Sequence, residues 1–86
     1  MEIENKKSNE ESSYFFLKNI GLSHREIDVV KALLVVKTDK EIAEKLNIAA
    51  STVHSHKTAI YSKTKTNDRA SLILYLVSKG FFKEQQ

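Results

Sequence analysis

Apolar residues recur at helical spacing through the middle of the chain, and capping residues mark where the predicted helices begin. The motif Ser23-His24-Arg25-Glu26 is a capping box, in which the serine hydroxyl accepts a hydrogen bond from a free backbone N–H and the glutamate reaches back. The positions that follow form one apolar face over residues 24–36, made of Ile27, Val30, Leu33 and Leu34. The pattern therefore predicts an amphipathic helix that begins next to Ser23.

A second capping box, Thr38-Asp39-Lys40-Glu41, lies only fifteen residues further along the chain. It predicts a short helix over residues 39–46, whose inner face consists of Ile42, Ala43 and Leu46. Asn47 follows at the position where a residue in the left-handed conformation can end a helix, and Ile48 is expected to point inward.

Two further helices complete the pattern. The third is predicted over about residues 50–63, with Val53 and Ile60 on one face. The fourth is predicted over about residues 68–79, and Gly80 stands where helices commonly stop.

The fourth helix is apolar nearly all round. Helical spacing directs Leu72, Ile73 and Leu76 to the core and leaves Leu74 and Tyr75 pointing elsewhere. Because a helix that is apolar all round is buried all round, we expect a partner on that side, and we favour a second copy of the chain. The alternative is that Leu74 and Tyr75 pack beneath the segment 14–17. Phe81 and Phe82 are expected to close either the core or the interface.

The N-terminal part divides into a polar tail and a short apolar segment. Residues 1–12 have almost nothing to bury and are predicted to be a disordered tail. Ser12 or Ser13 could cap a short helix over residues 13–21, which contains Tyr14, Phe15, Phe16, Leu17 and Ile20 and ends at Gly21. Residues 22–82 form the main domain, and residues 83–86 form a C-terminal tail. The predicted fold is all-α: a four-helix bundle with an extra short N-terminal helix.

Composition narrows the class of protein. A chain of 86 residues with no proline, two glycines and 29% charged residues suits one small helical domain. The absence of cysteine excludes a disulfide framework and thiolate zinc sites. No apolar run approaches the ~20 residues that span a bilayer, and no signal peptide is visible, so we expect a soluble, cytoplasmic protein without a membrane association. This length leaves no room for a sensing domain, so a free-standing regulator and a piece of a larger one remain alternatives.

Positive charge is concentrated in one part of the chain. The net charge is +3, and residues 45–69 contain five lysine and arginine residues against one aspartate. A short helix, a tight turn and a longer helix rich in hydroxyl and basic residues form the order of a helix-turn-helix. If Val53 and Ile60 face the core, Ser51, Thr52, His54, Ser55 and Thr58 lie on the sides and outer face and offer polar groups to base edges. Lys57 and Lys63 offer charge to flanking phosphates.

The span from Leu22 to Phe82 resembles the LuxR/GerE-type DNA-binding domain, a four-helix unit of bacterial transcription regulators. The resemblance rests on the blocks Leu22-Ser23-His24-Arg25-Glu26 and Asp39-Lys40-Glu41-Ile42-Ala43-Glu44-Lys45-Leu46, then on Ile48, Thr52-Val53, His56, Ile60 and Arg69. The spacing between the blocks matches without a gap, and the combination is much more specific than any single block.

The resemblance implies roles for individual residues. It implies that the helix at about residues 50–63 enters the major groove of duplex DNA, with His54, Ser55 and Thr58 towards the bases, and we add Ser51 to this set. It also implies that Lys40, Thr52 and His56 touch phosphates, beside Lys57 and Lys63. The fourth helix often mediates dimerisation in the family, which makes Leu74, Tyr75 and Ser78 the expected dimer interface. RNA polymerase or another regulator is a candidate further partner.

The sequence departs from the family pattern at three places that bear on binding, one of which is Thr64-Lys65-Thr66, where the family usually has Leu-Gly-Val. Ala49 stands where the family usually has a serine that caps the recognition helix, so this cap is lost unless Ser51 substitutes for it. His54 stands where a lysine is common. Arg69 is either a phosphate contact or the structural partner of a carboxylate such as Glu26, and we favour the structural role.

Other classes of function fit the sequence less well. His24, His54 and His56 have no cysteine or carboxylate cluster to complete a metal site, and no paired carboxylates, activated nucleophile or glycine-rich loop indicate an enzyme. No cofactor is expected. Two alternatives remain: a protein-interaction module of the same fold that partners another regulator, and a promoter-reading piece of a sigma factor.

Overall fold

The computed structural model describes residues 13–81, which form five helices and, within that range, no strand. We number them α1 to α5 in chain order. Their bounds are residues 13–19 for α1, His24–Leu33 for α2, Asp39–Leu46 for α3, Ala50–Thr64 for α4 and Arg69–Ser78 for α5. The predicted all-α fold is confirmed, and α2 ends three residues earlier than its apolar pattern indicated. The predictions for residues 1–12, Phe82 and residues 83–86 lie outside the described residues.

Local capping determines where three of the helices begin. Ser23 and Glu26 form the predicted box at α2, and Thr38 and Glu41 form the predicted box at α3. Asp68 caps α5, where Ser71 completes a third box that the sequence did not suggest.

The hydrogen bonds of the caps also act on the carboxyl groups that accept them. Backbone N–H groups of Thr38 and Lys37, together with the Thr38 hydroxyl, hold the pKa of Glu41 below its ordinary value. The backbone N–H and the hydroxyl of Ser71 lower the pKa of Asp68 in the same way. Each cap is therefore strongest when its carboxyl group is ionised.

Left-handed residues end α3 and α4. Asn47 adopts φ 59° at the end of α3, as predicted. Lys65 adopts φ 57° at the end of α4, although it is not a glycine. The left-handed conformation costs a residue with a side chain about 1 to 3 kcal/mol, so the surrounding turn must hold Lys65 there. A hydrogen bond from the Thr66 N–H to the Tyr61 carbonyl, at 2.9 Å, closes that turn.

The core lies between α2, α3, α4 and α5 and is closed at one end by α1. The buried apolar residues include most of those that the sequence placed inward on each helix, among them Ile27, Val30, Leu33, Ile42, Val53, Ile60, Leu72 and Leu76. Leu34, Leu46 and Ile48, which were also expected to point inward, are only half-buried against this core. Leu17 of α1 is fully buried, and the Phe16 ring meets the Phe81 ring edge to face at 5.2 Å. The N-terminal segment is therefore part of the fold. Ile73, which we expected in the core, is only half-buried.

The contacts of Arg69 correct one prediction. Its guanidinium donates to the backbone carbonyl of Val36, at 2.6 Å, and so joins the start of α5 to the turn before α3. Glu26, the carboxylate that we named as an example of a partner, instead binds Lys63. Arg69 has a structural contact, but with a backbone carbonyl rather than with a carboxylate.

No helix among residues 13–81 is long and apolar enough to cross a membrane.

Candidate nucleic-acid interface

Helices α3 and α4, joined by three residues, form a helix-turn-helix. Thr38 begins α3, Asn47 ends it, and the Ile48 N–H donates to the Ala43 carbonyl at 3.0 Å, which turns the chain sharply. Ala49 then starts α4 in extended conformation, and no side chain caps the helix. The expected loss of this cap is confirmed, and Ser51 does not replace it.

One face of α4 is exposed and polar. Ser51, His54, Ser55 and Thr58, the predicted base-facing residues, are all exposed. They follow one another at spacings of three, one and three residues, which places them on one side of a helix, opposite the fully buried Val53 and Ile60. The Thr58 hydroxyl donates to the His54 carbonyl at 3.0 Å, so it presents its oxygen as an acceptor. Within residues 13–81, no hydrogen bond or ion pair engages the side chains of Ser51, His54 and Ser55.

The predicted phosphate contacts lie beside this face in several different environments. Lys40 is exposed on the first turn of α3. Thr52 and His56 are half-buried on α4 and lie four residues apart, so they share one flank of that helix. No contact with phosphate is tested by the structure, and these roles remain predictions.

Lys63 binds Glu26, and this ion pair joins the last turn of α4 to the capping box of α2. The Lys63 ammonium lies 2.7 Å from Oε1 of Glu26, and the same oxygen accepts from the Ser23 N–H at 2.8 Å. Burial acts to raise the pKa of Glu26, but the hydrogen bonds from Lys63 and Ser23 and the charge of Lys63 outweigh it, so the net pKa lies below the ordinary value. The Lys63 side chain is still 41% exposed. One of its three N–H donors is used here, which leaves others for a phosphate.

Lys57 also has a carboxylate partner, on α3. Its ammonium lies 2.7 Å from Oδ1 of Asp39, and the Lys57 side chain is only 22% exposed. Sequence reasoning treated Lys57 as an outward-facing cation and missed Asp39. The signal was present: Lys57 falls between Val53 and Ile60 at helical spacing, and therefore near the inner face of α4.

Helix α5 presents an exposed apolar surface. Leu74 is 68% exposed and Val77 is 52% exposed, one turn apart. Leu74 therefore does not pack beneath the segment 14–17, whereas Tyr75 is half-buried against the core. The Ser78 hydroxyl donates to the Tyr75 carbonyl at 2.8 Å. Val77 belongs with the predicted surface of Leu74, Tyr75 and Ser78, and its spacing of three from Leu74 could have identified it.

Two other kinds of site are absent from the described residues. No group of three histidine, cysteine, aspartate or glutamate residues among them could hold a metal ion. Residues 13–81 also enclose no pocket for a small molecule.

Comparison with known proteins agrees with this geometry. Residues 21–76 match the model of the family described as bacterial regulatory proteins, luxR family. The chain is similar to the transcriptional regulatory protein LnrK of Bacillus subtilis, with 41% identity over 61 residues, which cover 71% of this chain and 28% of LnrK. It is also similar to the oxygen regulatory protein NreC of Staphylococcus carnosus, with 36% identity over 58 residues, which cover 67% of this chain and 27% of NreC.

NreC of Staphylococcus aureus gives the same identity and coverage. The chain thus spans about a quarter of the length of these relatives, and no solved structure matches it. The family consists of DNA-binding transcription regulators and not of enzymes. The family match covers well over half of the chain, including all of α2, α3 and α4, so the protein belongs to the luxR family of bacterial regulatory proteins, with a helix-turn-helix of the LuxR/GerE type.

Proposed function

We propose that this chain binds duplex DNA in a sequence-specific manner, with α4 in the major groove, and so regulates transcription. The observation that carries the proposal is the exposed polar face of α4, held outward by a core that buries the opposite face. Short hydroxyl groups and an imidazole can donate to and accept from base edges. Ser51, His54, Ser55 and Thr58 are the proposed base contacts. A bacterial regulator of this kind acts on the chromosome, and therefore in the cytoplasm.

We assign the phosphate contacts to the residues that flank this face. Lys40, Thr52, His56 and Lys63 could reach phosphates on either side of a groove that α4 occupies. Lys57 differs from them because Asp39 binds its ammonium group. If Lys40 and Lys63 each neutralise one phosphate per protomer, the affinity of a dimer should fall with salt with a log–log slope of about −4.

The dimer of the proposal forms through α5. Leu74 and Val77 expose apolar surface that a second α5 could cover, with Tyr75 and Ser78 beside them. A symmetric dimer would bind two half-sites about one helical turn of DNA apart, so the selected site should be an inverted repeat.

The test is fluorescence anisotropy of the chain against random duplex DNA at two salt concentrations, followed by selection of sequences from the same pool. We expect salt-sensitive binding and selection of an inverted repeat. Lys40→Gln should weaken binding to every sequence, whereas Lys18→Gln removes the same charge from the exposed side of α1 and should change binding much less. Absence of binding by the unchanged chain at low salt would overturn the proposal.

The exposed apolar surface of α5 also supports a second candidate, an interaction module that partners another regulator. The two functions differ in their response to Thr52→Ala combined with Lys40→Gln. A DNA-binding protein should lose affinity while its oligomeric state is unchanged. An interaction module should be indifferent to both substitutions.

A further inference from the structure

We propose that Lys57 is a positioning residue for DNA recognition: its ion pair with Asp39 fixes α4 on α3 and persists when DNA is bound. This inference rests on the proposed function, because it concerns how α4 is presented to the groove. It assigns Lys57, one of the two lysines of α4, an internal role in place of the predicted phosphate contact.

The position of Lys57 on α4 favours an internal role. Val53, Lys57 and Ile60 follow one another at spacings of four and three residues, and at about 100° per residue they lie within about 60° of one another around the helix. Val53 and Ile60 are both fully buried. The stem of Lys57 therefore leaves α4 at the border between the core face and the exposed face that holds His54. Its ammonium turns towards α3, where it binds Asp39.

The partner of Lys57 also favours a positioning role. Asp39 is the first residue of α3, where the positive end of the helix dipole stabilises a carboxylate. The 2.7 Å separation is that of a charge-assisted hydrogen bond, which is directional as well as strong. The bond connects the middle of α4 to the start of α3, across eighteen residues of sequence.

Helix α4 needs a directional contact to fix its placement. Apolar packing of Val53 and Ile60 holds α4 against the core but is not directional, so it tolerates small rotations of the helix. The usual anchor at the start of the helix is missing, since Ala49 provides no side-chain cap. Hydrogen bonds to base edges depend on placement to within about 0.5 Å. A directional bond in the middle of α4 supplies the constraint that the missing cap does not.

A phosphate contact by Lys57 would weaken its pairing with Asp39. To bind a phosphate, Lys57 would have to leave Asp39 or share its ammonium group with it. Asp39 is 38% exposed, so its carboxylate would then lie near the negative DNA backbone without its own cation. Lys63, by contrast, is 41% exposed, against 22% for Lys57, so more of its side chain is open to a phosphate while it stays bound to Glu26. The pair of Lys57 and Asp39 is therefore better kept than broken on binding.

The two roles predict opposite responses to Asp39→Asn. If Lys57 contacts phosphate, removing the carboxylate frees the ammonium and removes a repulsive charge, so affinity should rise with no loss of discrimination. If the pair positions α4, the ratio of affinities for the selected site and for random DNA should fall, by about 5-fold for an interhelical pair of this kind. The ratio is the useful quantity because a general change in charge alters both affinities together.

The experiment uses the 86-residue chain and its variants Lys57→Met, Lys57→Arg and Asp39→Asn. A double variant combines Lys57→Met with Asp39→Asn. Affinities for the selected site and for random duplex are measured over a range of salt concentrations, and thermal unfolding shows that each variant is folded. Methionine keeps the apolar stem between Val53 and Ile60. Lys18→Met, on the exposed side of α1, is the matched control for the loss of one charge.

We expect Lys57→Met and Asp39→Asn to lower the ratio by similar factors, the double variant to lower it no further, and Lys57→Arg to stay near the original value. The salt slope should be the same for Lys57→Met as for Lys18→Met. A slope smaller by about 0.9 per protomer in Lys57→Met, with equal loss on both DNAs and stronger binding by Asp39→Asn, would identify a phosphate contact and overturn the inference. An unchanged ratio in both single variants would also overturn it. Failure of the unchanged chain to bind DNA would instead overturn the proposed function.

Discussion

Replacing Glu26 with glutamine should destabilise the domain by about 1 to 2 kcal/mol. Glu26 is 7% exposed, and one of its oxygens accepts from both Lys63 and the backbone of Ser23. A hydrogen bond to a charged group contributes about 1.5 to 3 kcal/mol. Part of that is recovered, because Lys63 is 41% exposed and can return to water. The glutamine carbonyl can still accept from the Ser23 N–H, so the cap of α2 should survive.

Thermal unfolding followed by circular dichroism measures this effect. A loss of this size corresponds to a fall in the unfolding midpoint of about 5 to 10 °C for a domain of this length. Asp28→Asn is the matched control: it removes one carboxylate from the same helix, where Asp28 pairs with Arg25 at 3.3 Å on the surface, and should cost less than about 0.5 kcal/mol. Glu26→Gln should also be non-additive with Lys63→Met. Additive effects, or a Glu26→Gln variant as stable as the original, would refute the role assigned to this ion pair.

The lowered pKa of Glu26 gives the same variant a second signature. Because the folded state holds the proton less tightly than the unfolded state, the stability from Glu26 is fully present above its ordinary pKa of 4.5 and is lost as pH falls through the lower folded value. The difference between the original chain and Glu26→Gln should therefore shrink as pH falls below 4.5. A difference that stays constant into the acid range would contradict this explanation. Glu41 and Asp68 shift in the same direction, so the whole domain should lose stability in acid.

Three further substitutions test separate parts of the structure. Ala49→Ser should stabilise the domain by about 0.5 to 1 kcal/mol in thermal unfolding, because the backbone is already extended there and lacks only the capping hydroxyl; no gain would mean that the start of α4 is satisfied in another way. Arg69→Met should cost about 1 to 2 kcal/mol in the same assay by removing the bond to the Val36 carbonyl, and an unchanged midpoint would show that this bond contributes nothing. Leu74→Glu should abolish the proposed dimer in sedimentation experiments while the monomer stays folded, and a dimer that persists would move the interface away from α5.

Features encoded by neighbouring residues could be predicted from the sequence. The boxes at Ser23 and Thr38 and the left-handed Asn47 each depend on residues within one turn of one another, and all three were predicted. The same holds for the inner faces of α2, α3 and α4, since a period of 3.6 residues identifies them. The third box escaped prediction because its N3 residue is Ser71 rather than glutamate or glutamine.

Contacts between distant residues could not be predicted in the same way. Arg69 could have paired with a carboxylate or a phosphate, and its actual acceptor is the Val36 carbonyl, which every residue type supplies equally. Glu26 and Lys63 are thirty-seven residues apart, and only the packing of α4 against α2 brings them together. Spacing along one helix contains no information about which charge on another helix will be opposite.

This difference changes what the positive charge of the chain means. Counted along the sequence, residues 45–69 are strongly basic, which suggested a face that attracts phosphate by charge. In the folded domain Lys57 and Lys63 bind Asp39 and Glu26, two carboxylates from outside that segment. Two of the four excess positive charges are therefore balanced by carboxylates of α3 and α2, and the two ion pairs help to hold α4 in place. The face that remains on α4 consists of hydroxyl and imidazole groups, which attract phosphate weakly but can distinguish base edges. A domain built in this way should depend for its selectivity on the exact placement of α4 more than on the number of its cations.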